Sequence, residues 1–249
     1  MKIGILTFHH GYNFGGFLQV FALQSYLQKN GYDVSVINYI NPTHRLRKII
    51  NILHPKRALN LPYEFQKTQV FHKIHSDKLK LTTKLSNCSD ISEMNFDTVI
   101  LGSDEIWNFN NMMFGFDRCY FGGGFSAKRK IAYAASFGPR QLNEKKPESL
   151  VKDLKALDSI SVRDRNSQKF LKQLTGTDVP IVADPTFLVN FTNETHKLKT
   201  NRNYALVYGV SFEKQALASM RQEAKKRDLE LISIGYRVPQ TDRFVYDVS

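Results

Sequence analysis

Two hydrophobic periods alternate along the first forty residues. Ile3 to Leu6 is an unbroken apolar run of strand length. After a polar, glycine-rich stretch, Phe17, Val20, Phe21 and Leu27 recur at helical spacing, and Gly31 stands where a helix ends. Val34, Val36 and Ile40 return to the strand period. The pattern predicts strand, turn, helix, strand. Gly11, Gly15 and Gly16 fall in the turn, where they let the backbone bend sharply and let a ligand come close. Such a turn aims backbone N–H groups and the positive end of a helix dipole at one spot, which suits a phosphate or carboxylate. Turn formation alone is the plainer use of the same glycines.

The alternation continues. Residues 43–85 are basic and broken by Pro55 and Pro62, and are expected to form helical segments inserted over the sheet edge. Asp97–Leu101 and Lys130–Phe137 read as buried strands, closed by Gly102-Ser103-Asp104 and Gly138-Pro139. A helix is expected over 145–157, a strand over Ser159–Val162, a helix over Asn166–Leu174 and a strand over Val179–Ala183. Strands alternating with helices imply an α/β chain whose residues 1–190 form a doubly wound, mostly parallel sheet. Residues 191–203 are polar, lack periodicity and read as a linker. Residues 204–249 hold a strand, a helix over 213–227 and a strand over Glu230–Ile234, the start of a second Rossmann-like domain. One βαβ unit is too small to bury a core by itself, so this second domain is expected to be incomplete.

The glycine spacing excludes two familiar fingerprints. A dinucleotide site wants G-x-G-x-x-G and an acidic residue ending the second strand, where Asn38 and Tyr39 stand. A P-loop wants Lys and Ser/Thr after its last glycine, where Phe17 and Leu18 stand.

Composition adds less. The hydrophobic share of 42% and aromatic share of 12% suit a packed core. The net charge of +12 admits nucleic acid, an anionic membrane surface or acidic substrates, but no nucleic-acid-binding motif is present. The basic clusters at 45–48, 128–130 and 225–227 read as solvated surface, or as a face toward a membrane or phosphorylated ligands. Cys88 and Cys119 form no CxxC pair, and a reducing compartment is the plain reading. No signal-peptide pattern and no apolar run of membrane-spanning length occurs, so a cytoplasmic location is expected. The close pair His72 and His75 reads as surface, and no metal site is expected.

Four loops follow predicted strand ends, where open α/β sheets bind ligands. They are His9–Gly16, Gly102–Asn108, Ala135–Gly138 and Arg163–Arg165. His9 and His10 could exchange protons near neutral pH. Asn13, Gly15 and Gly16 would offer a side-chain amide and backbone N–H groups. In the second loop Asp104 could cap the next turn, and Trp107 could stack on a sugar or fill the core. Arg163 suits bidentate binding of a phosphate or carboxylate, with a salt bridge to Asp164 or a solvated arginine as the alternatives. Asp184 before Pro185 reads as a helix cap or turn residue.

The segments TFHHGYNFGGFLQVFALQSYL, DTVILGSDEIWN, KIAYAASFG, SISVRDRNS and PIVADPTFLV resemble, in order and spacing, the polysaccharide pyruvyl transferase family. The resemblance implies a Rossmann-like, GT-B-like transferase of polysaccharide biosynthesis. Its members move a pyruvyl group from phosphoenolpyruvate to a sugar of a surface polysaccharide, such as an exopolysaccharide, or of its lipid-linked precursor. A pyruvate ketal results. The donor is a substrate, and no cofactor is implied. Matched to the family's motifs, Asn13, Gly15, Gly16, Ser103, Asp104, Trp107 and Arg163 are expected to bind substrate. The family's second domain carries a Ser-Phe-His-Gly type motif with an active-site His, and nothing after residue 204 matches it. The last histidine is His196, so the catalytic group is unassigned, with His9 as the fallback. The chain is therefore expected to be truncated, or one part of a split protein whose C-terminal domain comes from a separate chain. Two further readings stay open: a nucleotide-sugar glycosyltransferase, and an inactive fragment that binds substrate or a partner subunit.

Overall fold

The computed structural model describes residues 1–11, 13–44, 61–111, 114–139, 145–194, 200–209 and 211–245. The basic cluster at 45–48 and His196 lie outside the described residues. The chain divides into two compact units. One holds Met1–Glu64 and Lys73–Asn190, and the other holds Phe65–His72 and Phe191–Ser249.

The first unit is built on five parallel strands, β1 (Lys2–Leu6), β2 (Asp33–Val36), β3 (Thr98–Leu101), β4 (Arg129–Ala135) and β5 (Ser159–Val162). Their order across the sheet is β2-β1-β3-β4-β5. This is the α/β, Rossmann-like class expected from the alternating pattern. Side chains alternate across the strands and feed two separate cores. Ile3, Ile5, Val34, Val36 and Ile100 pack on one face against Val20 and Leu23 of helix α1 (Phe14–Lys29). Leu6, Val99, Leu101 and Val162 pack on the other. There they meet Leu150 and Leu154 of α3 (Leu150–Lys155) and Phe170 and Leu171 of α4 (Arg165–Thr175). Helix α2 (Leu61–Lys78) precedes β3, and its His75 is buried beside the Phe17 ring rather than on the surface.

Two expectations are corrected here. Val179–Ala183 is not a strand: only Ile181 bridges to Val162, at the sheet edge beyond β5. The cysteines, read as those of a reducing compartment, are joined as a Cys88–Cys119 disulfide with Cα atoms 5.7 Å apart. The short turns Cys88–Met94 and Arg118–Phe121 carry them, so the pairing comes from tertiary contact across 31 residues of sequence. Among the described residues, no helix is long and apolar enough to cross a membrane.

The second unit has three parallel strands, β6 (Tyr204–Val207), β7 (Glu230–Ile234) and β8 (Arg243–Val245), in that order. Helix α5 (Lys214–Lys226) covers them through Leu217 and Ala224, which meet Val207 and Leu231. The hydrophobic pattern did not mark β8.

Gly102 ends β3 with φ +105°, and a Cβ there would lie 2.6 Å from the Tyr133 carbonyl oxygen. A backbone oxygen in a paired strand cannot yield. Gly102→Ala is expected to cost about 2–4 kcal/mol through strain and overpacking together. Gly11→Ala, whose new methyl would meet only the Phe8 carbonyl at 4.0 Å, is expected to be near neutral. Urea-unfolding midpoints of the two variants check this.

Candidate functional site

In this strand order the chain leaves β1 toward one face of the sheet and leaves β3 toward the other. The crevice between their C-terminal ends is the topological switch point, where open α/β sheets bind ligands. The loop after β1 runs into α1. Asn13 caps that helix, its Oδ1 accepting the Gly15 N–H at 2.9 Å. Gly15 is exposed and Gly16 is buried, and neither puts a side chain over the first turn. A Cβ on Gly16 would sit 3.5 Å from Asp104 Oδ2, so this end of α1 faces the loop after β3 directly.

Hydrogen bonds tie the first two loops together below that point. The Gly102 N–H donates to the Leu6 carbonyl at 3.0 Å, and the Thr7 hydroxyl to the Ser103 carbonyl at 2.8 Å. Gln19 of α1 donates to Thr7 Oγ1 at 3.2 Å and to the Gly16 carbonyl at 2.9 Å.

The second and third loops stay paired beyond their strands. Asp104 bridges Ala135, the Ser136 N–H donates to the Asp104 carbonyl at 2.9 Å, and the Trp107 N–H to the Ser136 carbonyl at 3.1 Å. The third and fourth loops are joined through Asp164, the N-cap of α4. Its carboxylate accepts the Ser136 hydroxyl at 2.7 Å and the Ser167 N–H at 2.7 Å. All four loops therefore meet at one edge of the sheet.

Arg163, directly after β5, reaches into this meeting point. Its Nη1 donates to Asp184 Oδ2 at 2.9 Å, and its Nη2 lies 3.9 Å from Asp104 Oδ1. The alternative of a bridge to Asp164 is not what forms, because Asp164 is committed to capping. Asp184 does cap the turn Pro185–Leu188, Oδ1 accepting the Thr186 N–H at 3.0 Å, but its second oxygen anchors Arg163. Burial would raise the Asp184 pKa; the Thr186 N–H, the Arg163 guanidinium and the Thr186 hydroxyl outweigh it and hold it below the ordinary value. Asp104 goes the other way. Burial pushes its pKa up, and the Glu105 N–H and Arg163 only partly offset this. Its backbone sits in the left-handed region at φ +81°, an uncommon place for a residue with a side chain.

Three expected site residues lie elsewhere. Trp107 is fully enclosed, its indole N–H donating to the Tyr120 carbonyl at 3.0 Å and its ring packed on Phe121 and Phe137. It fills the core and is not available to stack on a sugar. Ser103 is also fully buried, its hydroxyl 3.1 Å from the Ala134 carbonyl and 3.2 Å from Asp184 Oδ2, so it braces the site from below. His9 is 2% exposed, with ring nitrogens near the Thr7 carbonyl and Asn38 Oδ1. Burial lowers its pKa, so it is a neutral core residue at neutral pH. Asn13, Gly15, Gly16, Asp104 and Arg163 remain at the crevice. Asp184 was legible only as a cap; nothing in its local sequence shows that it also holds Arg163. Among the described residues, no three His, Cys, Asp or Glu side chains are grouped to hold a metal.

The arrangement offers an anion two attractions, a guanidinium held in place and the positive end of the α1 dipole. A family model described as polysaccharide pyruvyl transferase matches residues 13–243, from the cap of α1 to the first residue of β8. A search of curated proteins gave no match. The match takes in every loop of the crevice from Asn13 onward and covers most of the chain, which belongs to the polysaccharide pyruvyl transferase family.

Proposed function

We propose that the crevice between α1, Asp104 and Arg163 binds phosphoenolpyruvate and that the protein transfers its pyruvyl group to a sugar. The observation that carries this reading is the placement of Arg163. Its guanidinium is anchored on one side by Asp184 and lies on the other 3.9 Å from Asp104 Oδ1, and the second oxygen of Asp104 faces Gly16 at the start of α1. A planar fork held in this way can meet a phosphate or carboxylate without first being ordered. In the reaction, two acceptor hydroxyls add to the enol carbon and the bond from that carbon to the phosphate oxygen breaks. One hydroxyl proton is balanced by the proton gained at the methylene carbon, and the other leaves with inorganic phosphate. The products are a cyclic ketal and phosphate. The acceptor is a glycan or a lipid-linked oligosaccharide of a surface polysaccharide. The net charge of +12 suits peripheral contact with an anionic membrane face. The direct test is phosphate release from phosphoenolpyruvate that depends on added glycan acceptor.

Two binding experiments test the site. Arg163 touches the crevice, whereas Arg165, one helical position into α4, is exposed. A charge-assisted contact is worth roughly 1.5–3 kcal/mol, about ten- to a hundredfold in affinity. Calorimetric titration with phosphoenolpyruvate is expected to show that loss for Arg163→Ala and almost none for Arg165→Ala. Equal losses would contradict the assignment.

Gly16→Ala separates binding from folding. The new methyl has ordinary contact with its neighbours, and alanine is the better helix former by about 1 kcal/mol. Thermal stability is expected to hold or rise. The same methyl stands between the helix N-terminus and Asp104, so phosphoenolpyruvate affinity is expected to fall severalfold. A stable variant that binds as well as the unmodified protein would remove α1 from the site.

A further inference from the structure

We propose that Asp104 meets the anionic group of the donor as a neutral carboxylic acid, taking up a proton from solvent as the anion binds. The inference rests on the reading of the crevice as the donor's anion site.

The geometry sets one guanidinium against two carboxylates, and the two are served unequally. Asp184 has the direct Arg163 contact at 2.9 Å and accepts the Thr186 N–H and hydroxyl as well. Asp104 is 3.9 Å from Arg163 and accepts one hydrogen bond, from the Glu105 N–H to Oδ1 at 2.7 Å. Its other oxygen, Oδ2, faces Gly16 at the start of α1. An anion drawn to the helix N-terminus and to the free side of Arg163 therefore arrives beside Asp104 Oδ2. With Asp104 ionised, two negative groups would face each other in a half-enclosed crevice, and one of them must give up its charge.

Asp104 is the group able to do so. The charged groups facing it are Arg163 from the end of β5, Asp184 from the turn beyond Ile181, and Glu105 on its own loop. Burial is the largest influence and favours the protonated form, the Glu105 N–H and Arg163 oppose it, and the charges of Glu105 and Asp184 favour it. The incoming anion adds to the same side. Protonation at Oδ2 turns a repelling charge into an O–H donor aimed at the ligand. The proton comes from solvent or buffer, and no other bond is made or broken. The sign follows from linkage. The bound state holds more protons than the free state, so affinity is highest at low pH and falls as pH rises through the Asp104 titration of the free protein.

The experiment is calorimetric titration of the full chain with sulfate, which has no proton of its own to exchange near neutral pH, and separately with phosphoenolpyruvate. Each is run in two buffers of different ionisation enthalpy, across a pH series. The expected result is uptake of up to about one proton per sulfate. Sulfate affinity should fall about tenfold per pH unit above the Asp104 titration. Asp104→Asn is permanently neutral, and asparagine tolerates the left-handed backbone of this position. It is expected to bind sulfate with no proton uptake and a flat pH profile, with an unchanged circular dichroism spectrum. Absent uptake in the unmodified protein, or uptake that survives in Asp104→Asn, would overturn the proposal. Sulfate binding with proton uptake but no phosphoenolpyruvate binding would leave a proton-coupled anion site at Asp104 and overturn its assignment to the donor. Failure of both anions to bind would sink both.

Discussion

The N-terminal unit depends on one choice of neighbour. β1 pairs in parallel with β2 on one side and with β3 on the other, in the registers Ile3↔Val34 and Ile3↔Thr98. A parallel strand cannot be reached by a hairpin, so each connection must cross a face of the sheet. The connection after β1 takes α1 over the face that holds Ile3 and Ile5. The later connections put α3 and α4 on the face that holds Leu6 and Leu101. Two chains leaving the sheet in opposite directions from adjacent strands open a gap between them. The candidate site is a consequence of that divergence, before any functional side chain is placed.

What fills the gap is held by backbone more than by side-chain rotamers. Loops two and three remain hydrogen-bonded past the end of their strands, and β4 carries an irregularity between Ala132 and Ala135 with Ala134 at φ +52°. The extra residue displaces a carbonyl and an N–H from the ladder, and serines take them up. Ser161 Oγ accepts the Ala134 N–H at 3.3 Å, and Ser103 Oγ lies 3.1 Å from the Ala134 carbonyl. Bulges of this kind re-aim the residues beside them. Here the consequence is that Asp104 is presented to α1, while Ile106 and Trp107, two and three residues on, are sunk in the core.

The sequence showed its strands and helices wherever one period ran long enough, as in α1 and β3. It misled where a residue's role depended on a direction that pattern cannot supply. Trp107 in a loop after a strand reads equally as a ligand platform or a core plug, and only the carbonyl of Tyr120, thirteen residues on, decides it. Val179–Ala183 has strand composition, but it lies outside β5 with a single bridge. The ion pair of Arg163 with Asp184 joins residues 21 apart, and the disulfide joins residues 31 apart. No local signal encodes either. Asp184 was half legible, because a cap is a local bond and an ion pair is not.

The charge of the whole chain and the charge of the site pull apart. The protein carries +12 overall, yet Arg163 stands against Asp104 and Asp184, so the crevice is not a pool of positive charge. The broad positive field can draw anions toward the surface, and it does so without discrimination. If the crevice holds an anion as proposed, selection comes from within it, at the side of the Arg163 guanidinium turned away from Asp184 and at the start of α1. Arginine suits this position better than lysine would. Its planar fork can spend one nitrogen on Asp184 and still present another, whereas an ammonium is a single point drawn to the nearest carboxylate. Anchoring Arg163 lowers its raw attraction for anions and fixes where that attraction is felt. A site of this design favours a ligand with the right shape over one with merely the right charge.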